Sequence, residues 1–258
     1  NSTVEAAETI HTTTIPMGLA VLARFQYLLG LTYTDDRPDF GTGTDDMEGA
    51  YRQIPVHPSH ECLAIAAVCN VHTNEWVFFA MQGLPFGLGA AVNQFNRLPA
   101  FLVAVARRIL GLPVISFFDD FKTTDIINLC ESCPPFAELC AILGVRLDEM
   151  KHQSVSLDTA FLGGRETINH PYVDAVLIRP KEGREDSIML LINETIRTGM
   201  CLPSDAQSLR GKLVHLADSY VGRVGRACTL GLQELISQST SKCSDSTIET
   251  FMFIKEII

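Results

Sequence analysis

Ile115-Ser116-Phe117-Phe118-Asp119-Asp120-Phe121 places two adjacent carboxylates inside an otherwise apolar segment. The flanking residues, Val114 to Phe118 and Phe121 to Thr124, predict two short strands on either side of the carboxylates. Like charges held close together in apolar surroundings repel each other and lose hydration. A divalent cation would remove both penalties. The alternative is a solvated Asp-Asp turn without function, because Asp is common in turns.

Two further segments carry residues suited to chemistry. Thr44-Asp45-Asp46-Met47-Glu48-Gly49-Ala50-Tyr51-Arg52-Gln53-Ile54-Pro55 places carboxylates at a predicted strand end, with an aromatic residue five positions after Asp46. Gln82-Gly83-Leu84-Pro85-Phe86-Gly87-Leu88-Gly89-Ala90-Ala91 predicts a glycine-rich turn that opens a helix. Its small residues would let a substrate approach the backbone closely.

The remaining pattern predicts an α+β fold. Helices are expected at residues 17–29, 88–110, 136–143, 187–197 and 204–235, a hairpin at 61–69 and 76–81, and strands at 145–147 and 155–162. A loop is expected at 35–43 from its Asp, Pro and Gly content. Strands and helices mix without a regular βαβ repeat, which favours an antiparallel sheet with helices on one face.

Composition excludes some classes of protein. Hydrophobic residues make up 47% of the 258 residues and charged residues 19%, so a mainly disordered chain is excluded. The net charge of −10 is unusual for a nucleic-acid-binding protein. Cysteines scattered through apolar segments indicate reduced thiols inside a cell. Cys130-x-x-Cys133 with Cys140 would be the start of a zinc site, but no second pair follows at zinc-finger spacing.

Location follows from the same survey. No segment reaches the roughly 18 uninterrupted apolar residues that cross a bilayer, and the best candidate, Gly18 to Leu31, contains Arg24 and Gln26. No secretory signal pattern begins at Asn1. We therefore expect an intracellular protein, in the cytoplasm or nucleus, that is neither secreted nor bound to a membrane. The non-Met start predicts a piece of a larger polyprotein.

Together these segments resemble the palm of retroelement reverse transcriptases, which are RNA-directed DNA polymerases. Asp46 to Pro55 resembles the first catalytic motif of that family, Leu84 to Leu88 the second in its retrotransposon Leu-Pro-Phe-Gly-Leu form, and Phe117 to Asp120 the third. Leu143-Gly144-Val145-x-Leu147 followed by Lys151 is similar to the fourth. Phe161-Leu162-Gly163 is similar to the fifth, the primer grip. Five blocks in the family's order make a specific signal.

The resemblance implies a right-hand polymerase palm followed by a helical thumb-like region. The implied domains are partial fingers or an N-terminal extension at 1–43, the palm at 44–165, a connector at 166–203 and a truncated thumb-like region at 204–258. In the last region Arg210, Lys212, Arg223 and Arg226 would contact phosphates. The alternative there is an ordinary amphipathic helix.

The implied activity is template-directed addition of deoxynucleotides to the 3′ end of a primer on an RNA or DNA template. Two Mg²⁺ ions, with Mn²⁺ as a substitute, would activate the reacting oxygens. Asp46 and Asp119 would bridge them, with Asp120 beside them and the backbone carbonyl of Met47 as a further ligand. Asp45 competes for the role of Asp46, but the five-residue step to Tyr51 selects Asp46.

The resemblance also implies roles around the deoxynucleoside triphosphate. Tyr51 would be the steric gate against a ribose 2′-hydroxyl, and Phe86 and Gly87 would border the nucleotide. Lys151 would protonate the pyrophosphate leaving group or stand near it, the alternative being a solvated surface lysine.

Two other functions remain open at the level of sequence. One is a truncated or degenerate reverse transcriptase without activity, since Arg24 and Arg37 are the only basic residues before Asp46 and the family's fingers normally hold the triphosphate with basic residues. The other is an RNA polymerase with a palm, against which Tyr51 argues because it would exclude the 2′-hydroxyl.

Overall fold

The computed structural model describes residues 13–33, 38–87, 89–127, 135–168, 176–180, 182–216, 229–238 and 241–257. The chain forms two compact units, Asn1–Thr159 and Ala160–Ile258. Helices and antiparallel strands are mixed in both, which confirms the predicted α+β class.

The first unit contains three α-helices and the six strands β1 to β6 among its described residues. In chain order they are α1 (Ile15–Thr32), β1 (Phe40–Asp46), β2 (Ile65–Asn70), β3 (Glu75–Ala80), α2 (Gly89–Ile109), β4 (Val114–Phe117), β5 (Asp120–Ile126), α3 (Pro135–Ile142) and β6 (Gln153–Ser156). Short 3₁₀ helices at Ala50–Gln53 and Pro58–Leu63 follow β1. Helix α2 continues through Pro99.

The central feature is a four-stranded sheet of order β4-β5-β1-β6. Strand β1 pairs antiparallel with β5, with Asp46 opposite Asp120 and Asp45 opposite Phe121. Side chains alternate between the faces of a strand, so Asp46 and Asp120 share one face while Asp45 and Phe121 share the other.

Apolar packing determines which helices cover which face. Phe121 packs against Phe136 of α3, with 4.8 Å between ring centroids, and Phe95 of α2 lies fully buried in the same core. On the opposite face, α1 approaches so closely that a Cβ built on Gly18 would lie 3.3 Å from Lys122 Nζ. Helices therefore cover both faces of the sheet. The side chains of Asp46 and Asp120 lie on the same face as Lys122, which is the face that α1 covers.

Several sequence predictions were wrong in detail. The single strand expected at 155–162 is interrupted at Leu157, which lies between β6 and a separate strand at residues 158–161. Residues 40–43 were expected in a loop but belong to β1, because their glycines serve close strand pairing: a Cβ on Gly43 would lie 2.7 Å from the carbonyl oxygen of Gln153. Residues 145–147 were expected to form a strand but make a single bridge, between Leu147 and Met47. The predicted hairpin is present as β2 and β3, although residues 58–63 before it are helical.

Helix α1 is the one helix in the described part of the chain that is long and apolar enough to cross a membrane by length and composition. It lies near the N-terminus, and 22% of its apolar window is buried. Core helices of soluble proteins and signal sequences share these properties, so the absence of membrane binding stays a prediction.

The second unit is mainly helical where it is described. It contains β8 (Gly164–Thr167) paired with β9 (Leu177–Pro180), then α4 (Arg184–Thr198), α5 (Pro203–Leu216), α6 (Leu230–Gln238) and α7 (Asp245–Ile257). Strand β7 (Asp158–Phe161) spans the division between the units. Ile188, Leu209, Leu232 and Phe251 form a buried core from all four helices. The predicted helix 204–235 is seen at both ends, and residues 217–228 lie outside the described part.

Candidate active site

The predicted carboxylates meet where two strands end. Asp46 is the last residue of β1 and lies opposite Asp120, the first residue of β5. Phe118 and Asp119 form the turn between β4 and β5, and Phe118 adopts a left-handed φ of 54°. The backbone N–H of Met47 donates to the carbonyl of Asp119 at 3.0 Å. The turn is therefore tied to the chain that leaves β1, beside Asp46.

Crowding of these carboxylates changes their acidity. Burial, a hydrogen bond with the Asp46 side chain and the nearby negative charges raise the pKa of Asp120 to about 7. Burial and the charge of Asp46 also raise the pKa of Asp119, against a backbone hydrogen bond and the charge of Lys151, which lower it. The site thus holds more negative charge than its surroundings stabilise.

Lys151 supplies one nearby positive charge. Its Nζ donates to Asp46 Oδ1 at 2.9 Å and lies 3.9 Å from Asp148 Oδ2. The hydrogen bond and charge of Asp46 raise the pKa of the Lys151 ammonium, although its side chain is 59% exposed. The Lys151 side chain is solvated, as the alternative weighed from the sequence has it, and it is also paired with Asp46.

The contact between Lys151 and Asp46 is one of three side-chain contacts between residues 44–46 and residues 151–153. Gln153 Nε2 donates to Thr44 Oγ1 at 2.7 Å, and His152 Nδ1 lies 2.7 Å from Asp45 Oδ1. Sequence reasoning missed His152 altogether and treated Asp45 only as a rival of Asp46. The one feature of the sequence that could have indicated this pair was the second acid, Asp45, directly before Asp46.

Gln53 is another residue that the sequence did not single out. Its Nε2 donates to the carbonyls of Glu48 at 2.6 Å and Arg146 at 2.7 Å, and its Oε1 accepts from the Arg146 N–H at 2.8 Å. The Arg146 Nε also lies 3.2 Å from Glu48 Oε2. Gln53 thereby joins the segment after Asp46 to the segment before Lys151.

Tyr51 lies in the core and next to the carboxylates. Its ring stacks on Phe95 at 4.3 Å between centroids, with 11° between the planes, and packs against Phe86 at 4.5 Å. Burial, followed by the negative charge of Asp119, raises the pKa of Tyr51. Tyr51 is 8% exposed, so the residue predicted to be the steric gate is mostly buried among aromatic rings.

The glycine-rich turn docks on the chain just after Tyr51. The N–H of Leu84 donates to the Ile54 carbonyl at 2.9 Å, and a Cβ on Gly83 would lie 2.6 Å from the Arg52 carbonyl oxygen. Phe86 is 66% exposed, and Gly87 adopts a φ of 91° with open space around it. Leu88 lies outside the described residues.

The remaining predicted residues belong to the second unit. Phe161 ends β7, and Leu162 and Gly163 form a turn with φ values of 50° and 73°. On α5, Arg210 is exposed and the Lys212 Nζ donates to Ser187 Oγ at 3.3 Å. Arg223 and Arg226 lie outside the described residues.

The donor chemistry suits a hard divalent cation, because aspartate oxygens are the ligands that Mg²⁺ prefers. Burial, and after it the neighbouring negative charges, raise the pKa values of Asp119 and Asp120, and a bound cation would offset both effects. However, no three His, Cys, Asp or Glu side chains of the described residues are arranged around one point as metal ligands. The side chains therefore fit a metal by chemistry, and binding one would require them to turn towards a common point.

Comparison with known proteins identifies the fold. No protein-family model matches the chain, and no curated protein matches it. Solved structures of foamy viral protease-reverse transcriptase do. The structure in complex with an RNA/DNA hybrid matches with a TM-score of 0.58 and 15% identity, over 84% of this chain and 27% of that one.

Two further structures of the foamy viral protein agree. The dRH form in complex with ds DNA gives a TM-score of 0.57 at 15% identity, over 98% of this chain and 38% of that one. A complex with dsDNA gives 0.55 at 16%, over 99% and 46%. The chain thus has a reverse-transcriptase-like fold and spans less than half of each of these longer chains.

Proposed function

We propose that this chain carries the polymerase palm of a retrotransposon-type RNA-directed DNA polymerase and belongs to a larger polyprotein. It would be a nucleotidyltransferase that adds deoxynucleotides to a primer on an RNA or DNA template. One observation carries the proposal: Asp46, Asp119 and Asp120 crowd together at the adjoining ends of β1 and β5. They do so in a fold similar to that of foamy viral protease-reverse transcriptase.

Each residue has a role that its position supports. Asp46, Asp119, Asp120 and the backbone carbonyl of Met47 would hold Mg²⁺, which supplies Lewis acidity when bound. Tyr51 would lie beneath the incoming sugar, since the charge of Asp119 reaches it. Phe86 is exposed and free to border the nucleotide.

Lys151 would act on the leaving group. Its ammonium is kept protonated by Asp46, so it has a proton to give to pyrophosphate. A general acid of this kind contributes about 10²–10⁴-fold to a rate.

The decisive experiment is primer extension by the purified chain with Mg²⁺ or Mn²⁺, on RNA and DNA templates. Asp119→Asn should abolish extension. Asp125→Asn is the matched control. Asp125 lies on β5, the strand that follows the turn of Asp119, and it is away from the site. Its side chain accepts from the Ile126 N–H, which an Asn oxygen can also do. Equal extension by Asp119→Asn and the parent would refute the assignment.

A truncated or degenerate fragment without turnover is the second candidate. It is favoured by the absence, within the described residues, of three side chains arranged around a metal. A folded parent chain that extends no primer with either metal would select this candidate.

A further inference from the structure

Asp45 is a buried acid on the face of β1 that the proposed chemistry does not use. It is 6% exposed and lies opposite Phe121, on the face covered by α3. Its charge contributes, after burial, to raising the pKa of the buried Cys140 thiol of α3 to about 12. Buried carboxylates are rare without a partner, because burial removes their hydration. A residue kept here against that penalty needs a reason.

The partner of Asp45 is His152. The His152 Nδ1 lies 2.7 Å from Asp45 Oδ1, and Nε2 lies 3.3 Å from Ser154 Oγ. An ionised carboxylate only accepts hydrogen bonds, so Nδ1 carries the hydrogen in this contact. The imidazole is thereby held in one orientation at the start of β6.

The pair of Asp45 and His152 is adjacent to the contact of Lys151 with Asp46, which the proposed function uses. Asp45 and Asp46 are neighbours on one strand, and their partners His152 and Lys151 are neighbours on the other segment. Residues 148–151, which lead up to His152, form a turn. The Asp148 N–H donates to the Asp46 carbonyl at 2.8 Å, and the Lys151 N–H donates to the Asp148 carbonyl at 3.1 Å.

Strand pairing stops one residue after His152. The register of β1 with β6 shifts between Thr42 and Thr44, and the pair nearest the turn is Thr44 with Gln153, the first residue of β6. The contact of His152 with Asp45 is therefore the contact with β1 nearest to Lys151 on its C-terminal side. On the N-terminal side, the hydrogen bond of Asp148 to the Asp46 carbonyl holds the turn against β1.

We propose that Asp45 and His152 form a positioning pair that delivers the Lys151 ammonium to Asp46. Its consequence for catalysis rests on the proposed function, whereas its effect on the placement of Lys151 does not. His152 touches no reacting group and acts through Lys151.

The test uses two amides that differ in reach. The Nδ2 of Asn occupies about the position of His Nδ1, whereas the amide of Gln reaches the position of Nε2. His152→Asn should keep the hydrogen bond to Asp45, and His152→Gln should lose it. The side-chain NMR signals of Lys151, in protein with labelled lysine and assigned through Lys151→Arg, report the contact with Asp46. We expect the parent and His152→Asn to share a shifted, slowly exchanging ammonium signal that His152→Gln loses.

An unchanged Lys151 signal in His152→Gln would overturn the proposal. If His152→Gln does not fold, Asp45→Asn and Asp45→Leu decide instead. The amide oxygen of Asn still accepts from Nδ1 and should keep the signal, whereas Leu should lose it. Identical signals in these two variants would equally overturn the proposal.

Primer extension separates positioning from general damage. His152→Gln should slow nucleotide addition about as much as Lys151→Ala, within the roughly 10²–10⁴-fold range of a general acid. The double variant should be no slower than Lys151→Ala alone, and His152→Asn should restore most of the rate. Fully multiplicative losses would show that His152 does not act through Lys151. A parent chain without extension would refute the proposed function and leave the NMR result to decide the positioning.

Discussion

Asp46 and Asp120 face each other across the β1–β5 ladder, and their carboxyl groups share a hydrogen bond. Two acids can share a hydrogen bond only when one is protonated, so the pair favours one proton. Burial is the largest cause of the raised pKa of Asp120, and this hydrogen bond is the second. The relationship makes the stability of the metal-free chain depend on pH.

The free energy of unfolding without metal should fall as pH rises through about 7. The folded pKa of Asp120 is about 7, above its ordinary value of 3.8. Its contribution is therefore fully present below about pH 4 and is lost as pH rises through the folded pKa. Urea unfolding with a chelator, at pH values from 5 to 8, measures this contribution.

Asp120→Asn is the variant that isolates this effect, because the amide cannot titrate. Its unfolding free energy should change less between pH 5 and 8 than that of the parent. Equal pH dependence in the two proteins would mean that other groups cause it.

Divalent cations should stabilise the folded chain. A cation held by Asp46, Asp119 and Asp120 replaces carboxylate repulsion by attraction, and binding to the folded state alone adds RT ln(1 + [L]/Kd). Thermal unfolding with rising Mg²⁺ or Mn²⁺ at pH 8 should show an increasing Tm. Asp119→Asn should weaken this increase, and Asp125→Asn should retain it. An identical increase in all three proteins would place the cation elsewhere.

Tyr51→Ala should change sugar selection and weaken the fold. The Tyr51 ring fills space between Phe86 and Phe95, so its removal should cost about 3–5 kcal/mol of unfolding free energy. If the ring also excludes the ribose 2′-hydroxyl, the ratio of ribonucleotide to deoxynucleotide addition should rise. Comparing ratios on one primer cancels the loss of folded protein.

Tyr51→Phe is the control for this prediction, since it keeps the ring and should leave the ratio unchanged. A ratio that Tyr51→Ala leaves unaltered would make residue 51 a core aromatic only. That result would reopen the RNA polymerase alternative.

Gly83→Ala should destabilise the chain more than Gly87→Ala. The new methyl group at Gly83 would lie 2.6–2.7 Å from backbone atoms of Arg52. The Arg52 backbone cannot move independently, because it belongs to the 3₁₀ helix that carries Tyr51. We expect a loss of about 3 kcal/mol from overpacking. Gly87 has open space around it, so alanine there costs only the strain of its positive φ, about 1–2 kcal/mol. Chemical unfolding of both variants measures the difference, and equal losses would contradict it.

The sequence by itself determined the local parts of this protein. Apolar segments around Asp119-Asp120 predicted the β4–β5 hairpin, and residues 136–143 predicted α3, because alternation, helical spacing and turn residues act over a few positions. The mixture of strands and helices without a βαβ repeat predicted the α+β class. Composition misled where glycines at the start of β1 were interpreted as a loop.

Tertiary structure alone decided which side chains meet. Lys151 reaches Asp46 across 105 positions and His152 reaches Asp45 across 107, while Gln53 reaches Arg146 across 93. No local pattern encodes such pairs, because they arise only when strand pairing has brought both segments together. The same holds for Tyr51, whose position between two phenylalanine rings depends on α2 and the glycine-rich turn. Burial and neighbouring charge then set the acidity of Asp120, and both are properties of the folded chain.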